Sequence, residues 1–339
     1  MVLIRVSTRR NSRETEWRMI AASLLVMIIG MLVVPGVCFS QTATIRVGHF
    51  PNVTHVQALV AHHLSRQGKG WFEERLGPEV KLEWFLYNAG PSAMEAIFAN
   101  SLDLTYVGPS PAINAYAKAR GDEIRIVAGA ANGGAALVVQ PDSALKTPAD
   151  FRGRKIATPQ LGNTQDVSAR AWLVAGGLRV TLTGGDAQVV PTANADQLAL
   201  FRQKQLDAVW TVEPWVSRLE MDAGGKVLLE EADAVTTVLV SSAKFLASRR
   251  DLVARFVAAH AELTEWIRTN PEEARKIVRA ELAAEMRADI SPELIARAWE
   301  RIELTTDVSD RAFEKFLASA KTVGFLRTAP DLGRLVEKP

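Results

Sequence analysis

Short apolar runs alternate with amphipathic segments along most of the chain, a pattern typical of an α/β protein. β-branched and aromatic residues favour strands at residues 45–47, 80–86 and 102–106, and a segment with helical spacing of its apolar positions follows each of the three. Strands separated by helices of this length predict right-handed βαβ units and a mostly parallel sheet. Beyond residue 249 the pattern is almost wholly helical.

A second α/β unit begins near residue 136, and the chain returns to the first unit with a strand at residues 237–241. We therefore predict two lobes joined by two crossing segments. Residues 41–131 and 236–339 form the first lobe, and residues 132–235 form the second. The loops at the carboxyl ends of the strands would face a cleft between the lobes, which is where open α/β sheets bind ligands.

The first forty residues have the layout of a bacterial export signal. A segment with five arginines precedes a largely apolar run without charged residues at residues 19–34, and a Pro-Gly pair ends that run. The small side chains of Cys38 and Ser40 fit a cleavage site before Gln41. We predict that residues 1–40 are a signal peptide and that the mature chain is periplasmic.

Three other interpretations of this segment stay open. The apolar run could be a membrane anchor, although it is shorter than the roughly 20 residues that span a bilayer. Cys38 could carry a lipid, but Val37 stands before it where lipoprotein signals have a small residue. Arg9 and Arg10 resemble the start of a twin-arginine signal, but Ser12 occupies a position where that signal has an apolar residue. The general secretory route fits best.

Composition narrows the class of protein. Hydrophobic residues make up 48% of the 339 residues and charged residues 23%, as in an ordinary globular protein. A formal net charge of +2 supplies no nucleic-acid-binding surface. Cys38 is the only cysteine, which excludes a disulfide framework and a zinc site built from several cysteines. Without residues 1–40, the chain has 35 basic and 36 acidic residues and no cysteine.

The loops that follow the predicted strands combine Gly or Pro with Ser, Thr or Asn at a helix start. Glycine lets a backbone approach a ligand, and free amides at a helix N-terminus bind anions. None of these loops contains Lys or Arg, so neutral donors and helix dipoles must hold an anionic ligand. The loop at residues 50–55 offers Thr54 and His55, and the loop at residues 158–165 offers Gln165.

Two larger side chains, one at the end of the predicted strand at residues 207–210 and one in the loop that follows, leave alternatives open. Trp210 could form a wall of the ligand pocket or pack in the core. Glu213 could cap the helix that follows it or bind an amine of the ligand.

Residues that would indicate an enzyme are scarce. The sequence contains no Gly-x-Ser-x-Gly elbow, no phosphate-binding loop and no dinucleotide fingerprint in a strand–helix context. Four histidines cluster at residues 49–63, but a metal site there would need a carboxylate from elsewhere in the chain. His62 and His63 also point to different faces of a helix. We therefore predict a protein with no catalytic residues, no cofactor and no metal.

Several motifs together resemble the substrate-binding proteins of ABC importers for aliphatic sulfonates, taurine and nitrate. They lie at residues 88–92, 102–112, 145–157 and 208–215, within a similarity that extends from about residue 45 to residue 320. The resemblance implies a monomeric, two-lobed periplasmic binding fold with two crossover strands and a helical C-terminal extension. In such proteins the lobes close over one small solute and present it to an inner-membrane permease.

The resemblance also implies which residues contact the solute. By their place in the matching loops, these are Asn52, Ser92, Ser110, Asn132, Thr158, Asn163, Thr164 and Glu213. The first loop, residues 50–55, departs from the Gly- and Ser-rich loop common among sulfonate-binding members, which leaves the anion open. An aliphatic sulfonate or taurine is the first expectation. The alternatives are nitrate, a pyrimidine precursor of thiamine, a biosynthetic enzyme on the same fold, and a sensor that feeds a receptor.

Overall fold

The structure is a computed structural model that describes residues 42–308 and 310–339, together with Val2. The predicted signal peptide, apart from Val2, lies outside the described residues, and so does Cys38. Within the described part of the chain, no helix combines the length and apolar character needed to cross a membrane.

Thirteen strands and twelve α-helices alternate along these residues. The strands are β1 (Ala43–His49), β2 (Val80–Leu86), β3 (Leu104–Val107), β4 (Ile124–Gly133), β5 (Ala135–Val139), β6 (Lys155–Thr158), β7 (Val180–Thr181), β8 (Gly184–Gly185), β9 (Gln188–Pro191), β10 (Ala208–Val212), β11 (Lys226–Glu230), β12 (Val235–Ser242) and β13 (Ile302–Leu304). The helices are α1 (Val56–Arg66), α2 (Trp71–Leu76), α3 (Gly90–Phe98), α4 (Pro109–Lys118), α5 (Thr164–Ala175), α6 (Asn194–Arg202), α7 (Trp215–Ala223), α8 (Ala243–Ser248), α9 (Arg250–Thr269), α10 (Pro271–Met286), α11 (Pro292–Trp299) and α12 (Asp310–Thr322).

Two sheets form the centres of two lobes. The first has the strand order β13-β4-β12-β3-β1-β2, and the second has the order β11-β5-β10-β6-β9. The chain passes from the first sheet to the second between β4 and β5, and it returns between β11 and β12. The lobe limits at residues 131/132 and 235/236 stay a prediction.

The prediction of mostly parallel sheets is wrong. Strands β1, β2 and β3 are parallel to one another, as are β6, β9 and β10. However, β12 pairs antiparallel with both β3 and β4, and β5 pairs antiparallel with β10 and β11. The reason is the double crossing: β4 leaves the first lobe and β12 returns to it, so the two neighbours run in opposite directions.

Glycine is required where β4 crosses into β5. Gly133 and Gly134 both have positive φ, 71° and 73°. A Cβ at Gly133 would lie 2.4 Å from the carbonyl oxygen of Arg301, and one at Gly134 would lie 2.7 Å from a methyl group of Ile302. A side chain would therefore be both strained and blocked at this crossing.

The C-terminal helices pack on the first lobe, as predicted. Phe256 of α9 stacks on Phe72 of α2 with ring centroids 4.0 Å apart. Phe313 and Phe316 of α12 belong to a second apolar cluster with Ile113 of α4. Helix α12 also contacts α5 of the second lobe, so it spans both lobes.

Some elements were not predicted. Helix α2 and strands β11 and β13 are short, and the β7–β8 hairpin has two residues on each side. Elements this short contain too few residues to show a recognisable period of apolar positions.

Candidate functional site

Six of the predicted ligand-binding residues line one pocket between the two lobes. The pocket measures about 360 Å³ with its open mouth included. The six residues are Asn52, Thr54 and His55 from the first lobe and Asn163, Thr164 and Gln165 from the second. The rest of the lining consists of Phe50, Asn88, Ala89, Gly90, Gly108, Pro111, Pro159, Val212 and Thr236.

Three helices begin at this pocket. Helix α3 begins at Gly90, α4 at Pro109 directly after Gly108, and α5 at Thr164. The first amides of a helix have no partner within it, and the helix dipole places partial positive charge at the same end. Two of these helix N-termini belong to the first lobe, and the third faces them from the second lobe. Partial positive charge from both sides of the pocket favours the binding of an anion.

Capping and proline residues stabilise the first turns of these helices. Asn163 caps α5 by accepting a hydrogen bond of 2.9 Å from the amide of Asp166. Pro91 and Pro109 occupy early helical positions, where the missing N–H removes no hydrogen bond. These caps fix the directions of the remaining free amides.

The pocket holds no positively charged side chain. Its fifteen lining residues include no Lys or Arg. His55 is buried, and this burial lowers its pKa to about 3, which makes it neutral at physiological pH. Its Nδ1 lies 3.4 Å from the amide nitrogen of Phe50. Any negative charge here is therefore met by amides, hydroxyl groups and helix dipoles.

Ser110 lies beside the pocket, one residue after the Pro109 that starts α4. Its amide lies 3.4 Å from Oγ1 of Thr164 on the opposite lobe. Its own Oγ is buried and makes no hydrogen bond to any described residue. A buried hydroxyl without a partner costs free energy, so this atom is available to a bound molecule.

Hydrogen bonds join the lobes around the pocket. The indole Nε1 of Trp215 donates to Oδ1 of Asn52 at 3.2 Å. Nδ2 of Asn88 donates to the carbonyl oxygen of Pro159 at 3.0 Å, and Oγ of Ser92 lies 3.1 Å from Oε1 of Gln160. Ser92 is therefore part of a bridge between the lobes rather than of the lining. The structure has the closed arrangement of the two lobes.

Glu213 lies outside the pocket. Its carboxylate accepts hydrogen bonds from the Arg301 guanidinium at 2.9 Å and from the amide and hydroxyl of Ser217 at 3.1 and 2.9 Å. Burial raises the pKa of Glu213, and the bonds from Arg301 and Ser217 oppose that rise. Of the two alternatives for this residue, the geometry matches helix capping, with Arg301 as an ion-pair partner across the lobes.

Three further predicted residues do not reach the pocket. Thr158 donates its hydroxyl proton to Oδ1 of Asp166 at 3.0 Å, inside the second lobe. Trp210 packs in the core of that lobe, where its Nε1 donates to Oε2 of Glu231 at 3.0 Å. Asn132 is the next-to-last residue of β4, and its Oδ1 is buried without a hydrogen-bond partner among the described residues.

Sequence reasoning missed several lining residues as candidates. Asn88, Gly90 and Gly108 lie in the predicted ligand-binding loops, but only the hydroxyl groups of Ser92 and Ser110, which follow them, were predicted to contact the solute. Phe50 lies two residues before Asn52, which was predicted to bind the solute. Thr236 lies near the start of the returning strand β12, and no local sequence signal marks it as a pocket residue.

Comparisons with known proteins identify the family of this chain. The NMT1-like family profile matches residues 40–283. A protein of Escherichia coli whose provisional name is aliphatic sulfonates-binding protein is 32% identical over 163 residues. That alignment covers 47% of this chain and 49% of the relative, so the chain matches about half the length of that protein.

Two of the solved structures that are similar to the chain show its fold. The alkanesulfonate-binding protein of Xanthomonas axonopodis pv. citri, bound to MOPS, has a TM-score of 0.70 at 22% identity and covers 88% of this chain and 99% of that one. The periplasmic nitrate-binding protein of Synechocystis has a TM-score of 0.65 at 15% identity and covers 85% and 83%. At these identities the likeness concerns the fold. The chain belongs to the NMT1-like family, and its fold is that of the two-lobed periplasmic binding proteins.

Proposed function

We propose that this chain is the extracytoplasmic solute-binding protein of an ABC importer and that it binds a small sulfonate, an aliphatic sulfonate or taurine. It acts as a monomer, performs no covalent chemistry and delivers its solute to an inner-membrane permease. The names of its relatives support this proposal, and so does the similarity of the fold.

The observation that carries the proposal is the convergence of three helix N-termini on a pocket without Lys or Arg. A sulfonate has three acceptor oxygens that share one negative charge, so several neutral donors can each take part of that charge. The apolar side chains of Phe50, Pro111 and Val212 offer a surface for a short alkyl chain. Ser110 and Thr164 supply hydroxyl groups from opposite lobes.

Binding works by closure of the lobes. The open form exposes the helix N-termini to water, and closure replaces that water with fixed amide and hydroxyl donors. A solute that contacts both lobes stabilises the closed state and shifts the population towards it. The bridges from Trp215 to Asn52 and from Asn88 to Pro159 cross between the lobes, so separation of the lobes breaks them.

Nitrate is the second candidate, and the similarity of the fold to the nitrate-binding protein of Synechocystis favours it. Nitrate also has three acceptor oxygens that share one negative charge, so the same neutral donors of the pocket suit it.

A thermal-shift panel separates these candidates. The untagged mature chain is heated with methanesulfonate, ethanesulfonate, taurine, nitrate, phosphonate or a pyrimidine, each well above its expected dissociation constant. A solute present at 100 times its dissociation constant stabilises the folded state by about 2.7 kcal/mol, which is a readily measured shift. We expect the largest shift with ethanesulfonate or taurine. No shift with any of the anions would contradict the proposal, and a shift with nitrate alone would select the second candidate.

A further inference from the structure

Two histidines and two glutamates meet inside the first lobe, outside the solute pocket. His49 ends β1, His62 lies on α1, and Glu281 and Glu285 lie one turn apart on α10. The side chains of His49, Glu281 and Glu285 are wholly buried, and that of His62 is 10% exposed. A metal site at these histidines needs a carboxylate from elsewhere in the chain. Glu281 and Glu285 supply it from a helix more than two hundred residues further along the sequence.

The atoms of this cluster are unusually close. Nε2 of His49 lies 3.0 Å from Nδ1 of His62 and 3.3 Å from Oε1 of Glu285. Nδ1 of His62 lies 3.2 Å from the same Oε1 and 3.2 Å from Oε1 of Glu281. A tetrahedral cation with bonds of about 2.0 Å holds its donor atoms roughly 3.3 Å apart, and the observed separations match that value.

Hydrogen bonds account for only part of this arrangement. Nδ1 of His62 carries at most one proton, yet three donor or acceptor atoms lie within 3.2 Å of it. Oε1 of Glu281 and Oε2 of Glu285 are buried and accept no hydrogen bond from the described residues, although Nε of Arg66 lies 3.3 Å from the former.

We propose that His49, His62 and Glu285 bind a divalent transition-metal cation of the zinc type. Two imidazole nitrogens and a carboxylate oxygen are a donor set that suits such a cation and suits Mg²⁺ or Ca²⁺ poorly. The fourth position falls to water or to Glu281, whose Oε1 lies 3.2 Å from Nδ1 of His62. Together the two carboxylates balance the charge of the cation.

The surroundings of the cluster fit this assignment. Nδ1 of His49 lies 3.4 Å from the carbonyl oxygen of Phe50, which leaves the Nε2 lone pair facing the cluster. Trp84 stacks on the ring of His62 at 5.2 Å and meets His49 edge-on at 5.6 Å, so both rings are held in place. Glu285 also lines a cavity at the edge of the cleft.

Arg66 must move when the cation binds. Its Nε donates to Nε2 of His62 at 3.1 Å, but a cation on Nδ1 leaves the proton on Nε2. The Arg66 side chain is 43% exposed and free to turn towards solvent. The bound cation would link β1, α1 and α10. It would also fix the position of His49, which directly precedes the pocket loop at residues 50–55. This role does not depend on which solute the pocket binds.

Zinc binding to the untagged mature chain tests the proposal. The protein is stripped with a chelator and titrated with Zn²⁺, and also with Co²⁺, whose visible spectrum reports tetrahedral coordination. We expect one Zn²⁺ per chain, no binding of Mg²⁺ at equal concentration, and a rise in the thermal midpoint with Zn²⁺. Glu285→Gln and His62→Gln are expected to lose at least tenfold in zinc affinity, whereas Arg66→Ala binds zinc at least as tightly as the wild type.

His260→Gln is the matched control, since His260 is a buried histidine on α9 outside the cluster. It keeps the wild-type zinc affinity if the assignment is right. Glu285→Gln is nearly isosteric, so it keeps the test valid if His62→Gln does not fold. Absence of stoichiometric zinc binding by the wild type would overturn the proposal. Equal zinc affinity of Glu285→Gln and the wild type would overturn it as well.

Discussion

Gly108 of the first lobe lies directly against Thr164 of the second: a Cβ on Gly108 would lie 2.3 Å from Oγ1 of Thr164. The backbone of Gly108 is otherwise ordinary, with φ −69° and ψ 154°, which any residue adopts. The glycine is therefore needed for the approach of the two lobes and not for the conformation of its own loop.

Gly108→Ala is expected to block full closure. We expect the affinity for the solute to fall at least tenfold, while the thermal midpoint of the solute-free protein changes little, because the open form has room for a methyl group. Calorimetric titration with the solute measures the first quantity and a thermal melt the second. Gly184→Ala is the control, since a Cβ there meets nothing within 4 Å. Wild-type affinity in Gly108→Ala would mean that closure does not require this contact.

Trp215→Phe tests the bridge from the indole of Trp215 to Asn52. Loss of one hydrogen bond of about 0.5–1.5 kcal/mol from the closed state lowers the solute affinity roughly 2- to 12-fold. The matched control is Trp71→Phe, whose indole donates to the carbonyl oxygen of Ala259 within one lobe. We expect Trp71→Phe to lower the thermal midpoint without changing affinity. Equal affinities for the two variants would contradict a clamping role of Trp215.

Arg301→Ala leaves Glu213 buried without its ion-pair partner. Burial alone tends to lower the pKa of Arg301, but its bonds to Glu213 and Glu220 outweigh this effect and raise it. Removal of one partner of a buried pair costs about 3–5 kcal/mol of unfolding free energy. Urea denaturation measures this loss, and Arg301→Met combined with Glu213→Gln is expected to recover part of it. If Arg301→Ala is as stable as the wild type, the pair contributes nothing.

Acid is expected to destabilise the protein partly through His260. Burial lowers the pKa of this histidine to about 4. Its Nε2 lies 2.9 Å from the carbonyl oxygen of Gly129, and its Nδ1 lies 3.0 Å from the hydroxyl of Tyr106. The unfolded chain takes up this proton near pH 6.5 and the folded chain only near pH 4, so stability falls as the pH drops through that window.

His260→Gln measures this effect by difference. Between pH 7 and pH 5, the wild type is expected to lose on the order of 2 kcal/mol more unfolding free energy than the variant. Urea denaturation at the two pH values gives the comparison. The same loss in both proteins would show that His260 does not titrate differently in the folded and unfolded states.

The periodicity of the sequence predicts most of the fold because it depends on burial along single elements. Strands β1, β2 and β10 lie within a few residues of their predicted bounds, and the chain beyond residue 249 is largely helical, as the pattern predicts. The direction of β12 was not predictable in the same way. It depends on where a returning segment inserts into a sheet, and the local apolar pattern carries no such information.

The site was predictable where it consists of loops and not where it depends on distant partners. Asn52, Asn163 and Thr164 lie in the pocket because the ends of strands face the cleft. Trp210 stands two residues before the end of β10, within the core, whereas Val212 at the end of that strand lines the pocket. The partner of Glu213 is 88 residues away along the chain, beyond the reach of any spacing argument.

The central claim is that neutral donors from both lobes hold the solute. Calorimetric titration of ethanesulfonate into the wild type, into Ser110→Ala with Thr164→Ala, and into the control pair Ser248→Ala with Thr269→Ala tests it most directly. We expect tight binding by the wild type and the control, and an affinity at least tenfold lower when the two pocket hydroxyl groups are removed, with the thermal midpoint of the solute-free protein preserved. Equal affinity in all three proteins would contradict the account.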